Sequence, residues 1–180
     1  MTQLTIFVDG ASKGNPGHAG IGVRIESNGD LLKEYCGYIG QATNNTAGYR
    51  ALLKGLEIAR ELEANRVSVI SDSELVVRQM NGEYRVKNAS LLPLYQDAQK
   101  RSKHFDAFQI RHVPRSKNKD ADRLANQGIE NQESSKQQAD HIHLLSAYRI
   151  IYKRAGWPHP LWMRKVRAPQ GRMLGNAQAG

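Results

Sequence analysis

The four residues Ser27-Asn28-Gly29-Asp30, set between the apolar runs Ala19 to Ser27 and Leu31 to Ile39, constrain this chain more than any other feature. Asn-Gly between apolar runs is the strongest short-range hairpin signal, because its tight turn matches the twist of two antiparallel strands. Residues 3 to 9 are β-branched and apolar and supply a further strand, so the chain is expected to open as a three-stranded antiparallel meander. From Thr43 to Leu62 the pattern changes to a helical period, with Ala47, Ala51, Leu52, Leu56, Ala59 and Leu62 on one side. Val67 to Ser71 returns to strand, and a short helix after Asp72 runs to Met80, where Asn81-Gly82 stops it. Ser90 is expected to cap a helix reaching about Lys103, with Pro93 tolerated in its first turn. Phe105 to Val113 reads as a fifth strand and Asn118 to Ile129 as a last helix. The expected class is α/β, a mixed sheet with helices on its faces.

The polar run NQESSKQQAD at 131–140 has no periodicity and reads as a linker. Beyond it, Ile142, Leu145, Tyr148, Ile151 and Tyr152 recur near helical spacing and predict one short helix, while residues 158–180 carry nothing that must fold. The expected organisation is a domain over 1–130, a linker over 131–140 and a basic, partly disordered tail over 141–180. Residues 1–130 hold 18 Lys/Arg against 15 Asp/Glu, and 131–180 hold 8 against 2, so most of the net charge of +9 sits in the tail. A basic excess attracts polyanions and favours nucleic acid as partner. The single cysteine, Cys36, excludes an intramolecular disulfide and a multi-cysteine zinc site. The N-terminal MTQLTIFVDG has no basic stretch followed by an apolar run, and no apolar stretch reaches the ~18 residues of a membrane span. A cytoplasmic chain, off the membrane, is the expectation.

Three acids fall where the chain can collect them: Asp9 late in the first strand, Asp72 just after the fourth, and Asp122 near the start of the last helix. If the first and fourth strands are neighbours, these carboxylates meet at one end of the sheet. Hard divalent cations take oxygen ligands and keep several waters, so a few converging carboxylates plus substrate phosphate suffice to bind them. Isolated aspartates in such places more often serve turns and helix caps. The surrounding sequence decides between the two.

Four ordered blocks, DGASKGNPG at 9–17, TNNTAGYRALLKGLEIA at 43–59, SDSELVVRQMNGEY at 71–84 and HVPRSKNKDADRLAN at 112–126, resemble the type 1 ribonuclease H family. The resemblance covers about 1–130 and implies an RNase H-like five-stranded sheet in the order 3-2-1-4-5. It also implies Mg²⁺- or Mn²⁺-dependent, two-metal hydrolysis of the RNA strand of RNA/DNA hybrids, leaving 5′-phosphate and 3′-hydroxyl ends. The family's acids carry over as Asp9, Asp72 and Asp122, both as catalytic residues and as metal ligands.

The fourth acid does not carry over. Where the family pattern places a glutamate, this chain has Gly48, which offers no ligand and costs a helix interior roughly 1 kcal/mol relative to alanine. Impaired activity is expected. The resemblance assigns Ser12, Asn15, Asn44 and Asn45 to the hybrid-contacting loops. Many relatives have a histidine in the loop before the last acid; the corresponding loop, 114–118, has none, and Arg115 is the expected stand-in, with His112 read as structural. Glu74, Arg78 and Arg50 are weaker candidates for substrate contact. The tail's Lys and Arg residues, near Trp157 and Trp162, suit nucleic-acid binding, and equally self-association of an otherwise monomeric chain. Two other functions stay open: a non-catalytic hybrid-binding module, and another nuclease built on a related sheet with the same acid cluster.

Overall fold

The structure, a computed structural model, describes the backbone of residues 2–155 and the side chains of 2–137. The elements run β1 (Gln3–Gly14), β2 (Gly17–Ser27), β3 (Asp30–Ala42), α1 (Asn44–Glu61), β4 (Arg66–Ser71), α2 (Glu74–Met80), α3 (Leu92–Ser102), β5 (Ala107–His112), a 3₁₀ turn (Arg115–Lys117) and α4 (Lys119–Ala155). The five strands form one sheet in the order 3-2-1-4-5, the RNase H-like arrangement. β1 lies at its centre, antiparallel to β2 and parallel to β4, with β5 parallel on the far side. The hairpin forms where expected, with Asn28 at φ 53° and Gly29 at φ 90°. The other turn is tighter than the sequence reading had it, because β1 and β2 stay paired up to Gly14 and Gly17, and only Asn15-Pro16 spans the gap.

One face of the sheet packs on α1. Leu4, Ile6 and Val8 of β1, Val23 and Ile25 of β2, and Val69 of β4 meet Leu52, Leu56 and Ala59, all at most 1% exposed. These helix residues repeat at three- and four-residue spacing, which is why the stripe found a single partner surface.

The opposite face takes the start of α4, and there the contact is backbone on backbone. A Cβ at Gly20 would lie 2.2 Å from the carbonyl oxygen of Ala125, and one at Gly22 would lie 2.1 Å from that of Ala121. Only glycine permits this approach. Ala121, Leu124, Ala125 and Ile129 are buried along the contact, which fixes the register of α4 and with it the position of Asp122.

Two expectations need correction. Residues 131–140 are helical, since α4 continues through them to Ala155. The run contains no Gly or Pro, and its Gln, Glu, Lys and Ala are good helix formers; residues 131–137 are exposed, so the absence of apolar periodicity marked solvated helix there rather than a linker. The chain nevertheless divides into two compact units, Met1–Ser135 and Lys136–Gly180. Secondly, α3 starts from Leu91, one residue beyond the expected Ser90, and has no side-chain cap; the Ser90 N–H instead donates to Asn88 Oδ1 at 2.8 Å in the preceding turn. The expectations for 158–180, and for Trp157 and Trp162, lie outside the described residues.

Candidate active site

Parallel pairing of β1 and β4 places Val8 opposite Ser71, so Asp9, midway along β1, lies beside the end of β4 from which Asp72 leaves. Burial of Asp9 and the charges of Asp72 and Asp122 push its carboxyl from the ordinary 3.8 to about 7, and a hydrogen bond with Asp72 adds to the rise. Donation from the Gly10 N–H at 2.8 Å opposes it only in part. Crowded, half-buried carboxylates of this kind are poorly satisfied on their own.

α1 brings the remaining wall. Thr43 caps it, its hydroxyl accepting from the Thr46 N–H at 3.2 Å, which sets Asn44, Asn45 and Gly48 in the first turns. β1 and α1 touch through Gly10, where a Cβ would fall 2.2 Å from the backbone carbon of Ala47. The Asn15-Pro16 turn is tied to the same helix end, Asn15 Oδ1 accepting from the Asn44 N–H at 3.2 Å. Ser12 donates its hydroxyl to the Ala42 carbonyl at 2.8 Å and bonds Gly14.

The outcome is an open cleft of about 340 Å³ whose lining includes Asp9, Ser12, Asn44, Asn45, Gly48, Asp72 and Arg115. Asn15 serves it from behind by holding Asn44. Position 48 faces the cleft, with the nearest neighbours of a Cβ there being Val76 Cγ2 at 3.3 Å and Ser73 Oγ at 3.7 Å. Asp122 is close enough for its charge to act on Asp9, but its carboxylate is paired with Arg115, whose Nε lies 3.1 Å from Oδ1. Arg115 is 72% exposed along its side chain, so this pair is readily exchanged.

Other candidates lie elsewhere. Glu74 and Arg78 pair with each other at 2.8 Å on α2, and Arg50 donates to the Ile39 carbonyl at 3.3 Å. His112 is exposed at the end of β5, opposite Ser71 in register, rather than packed as a structural residue would be. A different cavity, between Leu56, Arg60, Arg101 and His104, brings no carboxylates into line with Asp9.

Among the described residues, no three acidic, His or Cys side chains converge as a preformed metal cage. Asp9 and Asp72 are nevertheless a fitting pair for a hydrated hard cation, which takes one or two carboxylates and offsets the burial and the neighbouring negative charges that raise the Asp9 carboxyl. Two contributors were not singled out from the sequence. Asn126 lines the cleft, and its Nδ2 donates to the Asp122 carbonyl at 2.9 Å. Asn118 is 1% exposed and reaches Asp72. Only its place at a helix start was visible in advance.

The family model described as reverse transcriptase-like matches residues 7–128. The bifunctional protein Rv2228c of Mycobacterium tuberculosis is 43% identical over 130 residues, 71% of this chain. The solved N-terminal RNase H domain of that protein, fused to maltose binding protein, is 41% identical with a TM-score of 0.72, over 76% of this chain and 99% of that one. This chain belongs to the ribonuclease H family. Another member, LC11-RNase H1, solved in complex with an RNA/DNA hybrid, is 38% identical, with a TM-score of 0.69 over 72% of this chain and 98% of that one. This ribonuclease H chain spans 36% of the length of the full mycobacterial relative.

Proposed function

We propose that this chain is an endonuclease for the RNA strand of RNA/DNA hybrids, and that Gly48 severely slows it. The observation that carries the reading is one cleft in which Asp9 and Asp72 stand with Ser12, Asn44 and Asn45. Its support from outside is the likeness to a ribonuclease H1 that was solved on such a hybrid.

Asp9 and Asp72 would hold Mg²⁺ or Mn²⁺, with Asp122 as the third ligand once it exchanges Arg115 for the metal. When bound, two such ions supply an activated water and stabilise the leaving oxygen of an in-line displacement at phosphorus. The amides of Asn44 and Asn45 can both donate to and accept from a ribose 2′-hydroxyl, the group that distinguishes RNA from DNA, and the Ser12 oxygen, whose proton goes to the Ala42 carbonyl, can accept from it. Asn15 keeps that wall in place through its bond to the Asn44 N–H. Arg115, exposed at the rim, can neutralise charge that develops on the phosphate. Position 48 faces the same cleft and contributes no carboxylate.

The test is cleavage of a labelled RNA/DNA hybrid with Mg²⁺ or Mn²⁺, with duplex DNA and duplex RNA as controls. Gly48→Glu is expected to cut the RNA strand on the order of 100-fold faster than the chain itself, and Asp9→Asn in that background to abolish cutting. If Gly48→Glu does not cut while both forms bind hybrid, a non-catalytic hybrid-binding module, the reading that the glycine itself favours, replaces this one.

A further inference from the structure

Asn118 joins the three acid-bearing segments. Its Nδ2 donates at 3.0 Å to the carbonyl of Val8, the residue before Asp9, and at 3.0 Å to Asp72 Oδ1. Its own carbonyl accepts from the Asp122 N–H at 3.1 Å, the first bond of α4. Its N–H donates to the Arg115 carbonyl at 3.0 Å, which closes the turn carrying that cation.

The direction of the amide is not a free choice. A carbonyl and a carboxylate only accept, so Nδ2 must face both, and rotating the amide would set oxygen against oxygen. The cost falls on the other side: Asn118 Oδ1 is buried without a partner, the one such side-chain atom among the described residues. Leaving a buried acceptor without a bond is unfavourable, so the geometry must be held by the bonds on the other side. An asparagine at a helix start usually turns its oxygen to the helix's own N–H groups. Here the side chain turns inward instead, towards the acids.

We infer that Asn118 is the positioning residue of this site: it holds Asp72 and the part of β1 that carries Asp9 in fixed relation to the start of the helix bearing Asp122. The inference rests on the metal-dependent reading above for its consequence, and on the bonds alone for its geometry. Groups that orient a metal's carboxylate ligands typically change affinity 10- to 100-fold when removed.

The experiment measures Mn²⁺ alone, by the electron paramagnetic resonance of the free ion, on the full chain, on Asn118→Ala and on Ile25→Val. The last truncates the core away from the cleft and controls for lost stability. Asn118→Ala is expected to weaken Mn²⁺ binding at least 10-fold, and Ile25→Val to leave it within about twofold. In parallel, solvent exchange of the Asn118 Nδ2 protons is followed by NMR in the unaltered chain and in Asp72→Ala; exchange should be slow in the first and faster in the second. Equal effects of Asn118→Ala and Ile25→Val on Mn²⁺ overturn the inference, as does amide exchange indifferent to Asp72→Ala. Should the unaltered chain bind no Mn²⁺, the metal-dependent function fails, and the amide exchange, which also serves if Asn118→Ala does not fold, decides the role of Asn118 by itself.

Discussion

Gly48 has two separable effects, one on the helix and one on the cleft. As a helix-interior glycine it costs α1 up to about 1 kcal/mol, and Gly48→Ala should recover part of this. The gain is limited because Val76 Cγ2 would lie 3.3 Å from the new methyl and must yield by a few tenths of an ångström. Gly48→Ala is therefore expected to raise Tm slightly in a thermal melt and to leave cleavage of hybrid as slow as in the unaltered chain, whereas Gly48→Glu speeds it. Asp9 gives a second prediction at this scale. Its folded carboxyl titrates at about 7 and its unfolded one at 3.8, so between these values the folded chain keeps a proton that the unfolded chain has released. The stability it contributes is fully present below about pH 4 and is lost as pH rises through about 7. Without metal, Tm should fall from pH 5 to pH 8, and the fall should be smaller in Asp9→Asn, which cannot ionise. A Tm difference between the two proteins that does not vary with pH would refute this.

At the scale of elements, the backbone contact between β2 and α4 holds Asp122 in place. Gly22→Ala puts a methyl 2.1 Å from the Ala121 carbonyl, and no side chain can move aside to admit it. We expect a loss on the order of 3 kcal/mol in urea unfolding, with weaker Mn²⁺ binding because Asp122 moves with the helix. None of this was legible in the sequence, because a glycine in a strand gives no sign of which helix will lie on it. The alternation in β1 and β2 and the stripe on α1 were legible, since each depends on side chains a few residues apart. The site was half legible. Asp9, Asp72, Ser12, Asn44 and Asn45 stood out within the recognisable blocks, whereas Asn118 and Asn126, inside the last of those blocks, looked like ordinary polar residues at and beyond a helix start. The helical 131–140 segment misled for a related reason: residues 131–137 are all exposed, and a stretch of helix that buries no side has no periodic pattern to read.

For the whole molecule, charge is distributed unevenly, with 18 basic against 15 acidic residues up to 130 and 8 against 2 beyond. If the later residues contact the hybrid backbone, ending the chain after Ser135, the last residue of the first compact unit, should leave the fold intact and flatten the dependence of hybrid affinity on salt. An unchanged slope in fluorescence anisotropy titrations would place every phosphate contact in the first unit. The sheet order has a consequence of its own. β1 is made first and lies at the centre, yet Asn118, which braces it beside Asp9, comes 110 residues later. During translation the first carboxylate emerges long before the helix that completes its surroundings. A chain that ends before α4 has Asp9 and Asp72 but neither Asp122 nor Asn126. The cleft, which Asn126 of α4 helps to line, is thus complete only once the last helix is in place.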